Sequence, residues 1–162
     1  MMRRNLAIVV MVLGVVSLAV GGVYIGLGVQ KNNYLVTQLK AQKVTLGLTT
    51  AQIAKGDLVD NMQEAQVAAN TLGEHLGSIA KTYSDLMAAN PNGKYDPTNA
   101  SDLSYTQGLN MENSFNLVVL GFGVIQETEV TGAILAVIGL AILLIGIVLF
   151  RKEKAALAAD TK

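Results

Sequence analysis

The stretch Val130–Phe150, VTGAILAVIGLAILLIGIVLF, constrains this chain more than any other. Its twenty-one consecutive residues carry no charge, and Arg151-Lys152-Glu153-Lys154 follows at once. At about 1.5 Å per residue, a helix of that length matches the ~30 Å hydrocarbon core of a bilayer. The run is read as a membrane span. A second apolar run of 24 residues, Leu6–Val29, stands behind Arg3 and Arg4. Two spans at opposite ends divide the chain into residues 1–5, 6–29, 30–129, 130–150 and 151–162.

Charge orients this arrangement. Residues 1–29 and 151–162 together hold six basic and two acidic side chains, a net of +4, whereas residues 30–129 hold six lysines and ten carboxylates, a net of −4. Short basic segments beside spans stay in the cytoplasm. Both ends are therefore expected inside, with residues 30–129 outside as an extracytoplasmic domain. An acidic outer domain also argues against nucleic acid as a partner. Leu6–Val29 is read as an uncleaved anchor, since its run exceeds the usual signal-peptide core of about 7–15 residues. The chain has no cysteine, so the outer domain must hold together by packing alone.

Glycine spacing suggests how the spans meet. Gly14, Gly21 and Gly28 fall seven residues apart on the first, and Gly132, Gly139 and Gly146 on the second. Residues at that spacing share one stripe of a helix. Lipid gives no hydrophobic drive to helix association, so close backbone approach at small residues must supply much of it. Antiparallel spans are expected to pair Gly14 with Gly146, Gly21 with Gly139, and Gly28 with Gly132. The spacing leaves open whether the pairing is within one chain or between chains. Gly22 and Gly26 offer a second small-residue face.

The outer domain reads as helical. Gln30–Lys43 has no breaker and is expected to continue the first helix, with Leu35, Leu39 and Leu46 on one face. Thr45–Asp57 reads as a connector with one short turn starting at Thr49. Along Asp57–Asn90, Leu58, Met62, Ala65, Ala69, Leu72, Leu76, Ile79, Tyr83 and Leu86 alternate by four and three, a heptad seam in one long helix. Asp60 and Gln63 fit its N-terminal capping box. Asn90–Asp102, with two prolines and Asn92-Gly93, is a loop. Ser104, Gly108, Met111, Phe115, Val118, Phe122 and Ile125 then mark a return helix that packs on that seam and runs into the second span. The fold class is all-α: a two-span antiparallel transmembrane hairpin carrying a helical extracytoplasmic domain.

Chemistry is sparse. No Asp, Glu, Lys, Arg or His lies within either span, which weighs against a proton relay or transporter. His75 is the only histidine; a metal or haem would need further ligands, and none stands at a recognisable spacing. Asp96, Asn99 and Asp102 offer oxygens to calcium without the EF-hand spacing, and turn and cap chemistry accounts for them. Glu127 and Glu129 would form an acidic vestibule if the chain made a pore. No catalytic set, metal or cofactor is expected.

Several short motifs along the length carry a resemblance. They are the glycine-rich first span, Ala65-Gln66, His75-Leu76, Thr82-Tyr83-Ser84-Asp85-Leu86, Asp96-Pro97 and the Thr131-Gly132 opening of the last span. In these the chain resembles short bacterial two-span membrane proteins that are often mislabelled as aromatic ring-opening dioxygenases. The resemblance implies the two-span topology and no activity. One histidine cannot supply a dioxygenase iron site of two histidines and a carboxylate. The expected function is that of a non-enzymatic membrane protein, a self-associating scaffold or small accessory subunit. A pore-forming oligomer is the alternative, and a single-His metal or haem binder comes third. Expected partners are the lipid bilayer and either further copies or a larger membrane complex.

Overall fold

The computed structural model describes residues 2–160, with side chains over residues 5–155. The side chains of Arg3 and Arg4, and those of the tail beyond residue 155, fall outside that range, and the topology expectation leans partly on them. Five helices follow in order: α1 (Met2–Gln42), α2 (Thr50–Ala54), α3 (Met62–Ile79), α4 (Tyr83–Ala89) and α5 (Ala100–Asp160). No strand occurs among the described residues, so the chain is all-helical there. Two helical stretches, Asn5–Gln42 and Ala100–Ala155, are long and apolar enough to cross a membrane. The chain divides into two compact units, one of Met1–Lys31 with Ile125–Lys162 and one of Asn32–Val124.

Within the first unit, parts of α1 and α5 lie side by side and run antiparallel. Ala7 is fully buried there, and Ser17 Oγ donates 2.9 Å to the carbonyl of Leu135 on the other helix. Most large side chains, among them Val16, Val23, Val137 and Ile145, face outward. That distribution suits an apolar solvent, because a helix pair in water would turn such residues inward.

The second unit starts where α1 stops. Lys43 adopts a left-handed conformation (φ 52°) and donates its N–H to Lys40 O at 3.1 Å, which closes the helix. The connector carries α2, capped by Thr49: its hydroxyl accepts from Gln52 N–H while the Gln52 side chain accepts from Thr49 N–H. This is the short turn expected at Thr49. Val59 is fully buried and donates to Val44 O at 2.9 Å, tying the two ends of the connector together.

The helix expected over Asp57–Asn90 is two helices. It begins at Met62, with Asn61 rather than Asp60 as N-cap, its side chain accepting from Glu64 N–H at 3.0 Å. Glu64, not Gln63, reaches back, accepting from Asp60 N–H at 3.1 Å. After Ile79 the backbone turns extended at Ala80 (φ −154°, ψ 144°), and Thr82 caps α4 by accepting from Asp85 N–H at 3.1 Å. The heptad count continued across this break because Ile79, Tyr83 and Leu86 happen to keep step. Local capping at Thr82-x-x-Asp85 offered the backbone a better-satisfied alternative.

Two small cores hold the unit. In one, Ala65, Ala68 and Ala69 bring α3 close to Phe115 of α5, with Val59 and Leu72 completing it. In the other, Leu76, Leu86 and Tyr105 pack together. Of the expected return-helix stripe, Phe115, Phe122 and Ile125 are buried, but Ser104 and Met111 are exposed; Asp102 and Tyr105 take the inward places near the start of α5.

Candidate functional site

The six spaced glycines lie along the contact between α1 and α5 in the first unit, in a register different from the expected one. A methyl group placed on Gly14 would stand 2.6 Å from Leu143 N, and on Gly21, 2.7 Å from Ala136 N. On Gly139 it would stand 2.6 Å from Leu18 N, on Gly132, 2.9 Å from Ile25 N, and on Gly146, 2.9 Å from Met11 N. Gly28 faces the stem of Glu129. Read along the pair, Met11, Gly14, Leu18, Gly21, Ile25 and Gly28 meet Gly146, Leu143, Gly139, Ala136, Gly132 and Glu129. The expected pairs Gly14/Gly146, Gly21/Gly139 and Gly28/Gly132 are thus replaced by a register three residues along on α5.

The reason is packing. A glycine opposite a glycine leaves two hollows facing each other and forfeits van der Waals contact. Sliding by three residues sets each hollow against a neighbouring side chain. Backbone still approaches closely: the methyl on Gly21 would also lie 2.6 Å from Gly132 O. Gly22 and Gly26, the second small-residue face, have nothing within 4 Å.

Of the expected heptad seam in the second unit, Ala65, Ala69, Leu72, Leu76 and Leu86 are buried. Leu58 and Ile79 are half-buried, while Met62 and Tyr83 are exposed. The exceptions sit at or beyond the ends of α3, where the backbone leaves the helical period. Tyr83 still meets Tyr105, ring centroids 6.4 Å apart. Gly108 gives Leu76 its place; a methyl there would stand 2.8 Å from Leu76 Cδ2.

His75 is exposed on α3, and among the described residues no group of three or more His, Cys, Asp or Glu side chains is placed to hold a metal ion. Glu127 is exposed, whereas Glu129 is half-buried with its stem over Gly28.

The polar arrangement that sequence reasoning undervalued lies in the loop before α5. Asp102 is 1% exposed. Its Oδ2 accepts from Asn90 Nδ2 at 2.5 Å and from Asp96 N–H at 2.8 Å. Asn90 Nδ2 also donates to Lys94 O at 2.8 Å, and Asn90 Oδ1 accepts from Asn99 Nδ2 at 3.1 Å. Asp96 Oδ1 accepts from the Thr98 hydroxyl at 2.6 Å and from Thr98 N–H at 2.8 Å. The Thr98 hydroxyl, and after it the Thr98 N–H, hold the Asp96 carboxyl below the usual aspartate range. Turn and cap chemistry thus occupies these oxygens, with one exception: Asp102 Oδ1 is buried and has no hydrogen-bond partner. The signal in the sequence was an Asp at the third position of a helix opening with Asn99. Nothing in the spacing showed that Asn90 would fold back onto it.

The chain matches no protein-family model, no curated protein and no solved structure.

Proposed function

We propose that this is a two-span membrane protein that acts by association, as a self-associating scaffold or as a small subunit of a larger membrane assembly, and not by catalysis. In this reading residues 6–29 and 130–150 cross the bilayer as an antiparallel hairpin. The basic flanks Arg151, Lys152 and Lys154 stay in the cytoplasm with the N-terminus, and residues 30–129 form the extracytoplasmic domain.

The observation that carries association lies in the second unit. Leu117 and Leu120 of α5 are 68% and 65% exposed, in a part of the chain placed outside the bilayer by this topology. Large aliphatic side chains grouped on a water-facing helix mark a surface that another protein covers. The pore alternative rests on Glu127, which is exposed, and Glu129, which is half-buried with its stem over Gly28, and no second feature joins them.

Native mass spectrometry of gently solubilised protein tests the proposal. A defined homo-oligomer or hetero-complex is expected, and Leu117→Glu with Leu120→Glu should break it down. A monomer in wild type under every mild detergent would sink the reading.

A further inference from the structure

We propose that the outward face of α5 in the second unit pairs with the same face of a second copy of this chain, in parallel about a two-fold axis. The inference rests on the association reading above and names its partner. Leu103, Asn110, Leu117 and Val124 fall seven residues apart on α5, and Asn113 and Leu120 follow Asn110 and Leu117 by three. All six side chains are exposed, and none belongs to either core. Steps of three and four along one helix are the spacing of a coiled-coil seam.

Charge decides what covers such a seam. Residues 30–129 carry a net −4, so two copies repel one another over most of this domain. A basic partner would be drawn to the carboxylates and would leave this face untouched. Between Leu103 and Gln126 the only acidic or basic residue of α5 is Glu112, which is half-buried, lies off the seam and turns its carboxylate toward Gly73 of α3. Two copies meet here without setting like charges against each other.

The side chains suit a two-fold as well. In such a contact each residue on the axis meets its own counterpart. Leu and Val pack on themselves. An asparagine amide both donates and accepts, so Asn110 and Asn113 are able to hydrogen-bond to their copies. Asparagine within a seam of this kind fixes its register. Copies inserted in one bilayer share an orientation, so their α5 helices run parallel, as that register requires.

The test uses the full chain, expressed in one membrane with two different affinity tags. Asn113 is exposed and outside both cores, so Asn113→Asp and Asn113→Lys are expected to fold. The two tags should co-purify in wild type. Co-purification should fall about tenfold or more when both copies carry Asp, or both carry Lys, because like charges then oppose. Combining an Asp copy with a Lys copy should restore it, since only a two-fold contact sets residue 113 against itself. On mild oxidation Leu117→Cys should form a disulfide-linked dimer, whereas Gln66→Cys, exposed on α3, should not. Wild-type co-purification in both Asn113 variants would overturn the pairing and leave association standing through another face. Loss in both without rescue by the combination, or crosslinking of Leu117→Cys to a chain of different mass, would overturn it in favour of a different protein. Equal crosslinking at both cysteines would mark random collision and overturn it too. If wild-type tags do not co-purify, the pairing fails; a hetero-complex in native mass spectrometry would then keep the association reading, and a lone monomer would end both.

Discussion

Between α1 and α5 a glycine matters most where backbone stands opposite it. Gly21→Ala would force a methyl against Gly132 O and Ala136 N, backbone atoms that cannot swing aside. We expect a loss of about 1–3 kcal/mol from overpacking. Gly22→Ala, one residue away, meets nothing within 4 Å and should be neutral or gain a few tenths of a kcal/mol in helix propensity. Unfolding of the two purified variants side by side checks this; equal losses would mean the contact is misplaced. Asp96 gives a second test at the same scale. Its carboxyl is depressed by Thr98, so the stability it contributes is present above the ordinary aspartate range and is lost as pH falls through the lowered folded value. Thr98→Val should return the Asp96 titration toward the ordinary range, followed by carboxyl NMR. An unchanged titration would show that the hydroxyl is not the cause.

Among the elements, α3 shows how far a periodic pattern reaches. From Ala65 to Leu76 the steps of four and three agree with burial, because the backbone there is one helix and the alanines admit Phe115. Beyond Ile79 the same steps continue in the sequence while the chain turns at Ala80. Leu76, 4% exposed beneath Gly108, sits where the pattern holds. Leu76→Asp should bury a carboxylate without a partner and cost about 3 kcal/mol or more. His75→Ala, on the exposed side, should stay within about 0.5 kcal/mol. Chemical denaturation of both variants decides it, and a more damaging His75 variant would reopen a ligand role for that residue.

For the whole molecule the prediction concerns sidedness. The absence of native cysteine makes single-cysteine reporters clean. If the basic flanks lie in the cytoplasm as proposed, an impermeant thiol reagent applied to intact cells should label Asn92→Cys and spare Asn5→Cys. Labelling of Asn5→Cys with Asn92→Cys protected would invert the topology. Labelling of both would remove the spans.

Helical content and the two apolar stretches were legible in the sequence, because a run of uncharged residues and its length are one-dimensional quantities. So was the existence of a glycine stripe on each, since residues seven apart fall on one face wherever the helix goes. Its register was not, for register is chosen by which hollows the opposing side chains fill, and Leu18, Ile25 and Leu143 carry no mark of that in their spacing. The turn at Ala80 was half visible, written in Thr82-x-x-Asp85 but outvoted by the heptad count. Of the polar knot on Asp102 the sequence held only the acidic residue in the first turn of α5; its burial came from tertiary structure. Asn90 and Asp102 stand twelve residues apart, and only the path of the loop between them turns two ordinary surface residues into a buried pair.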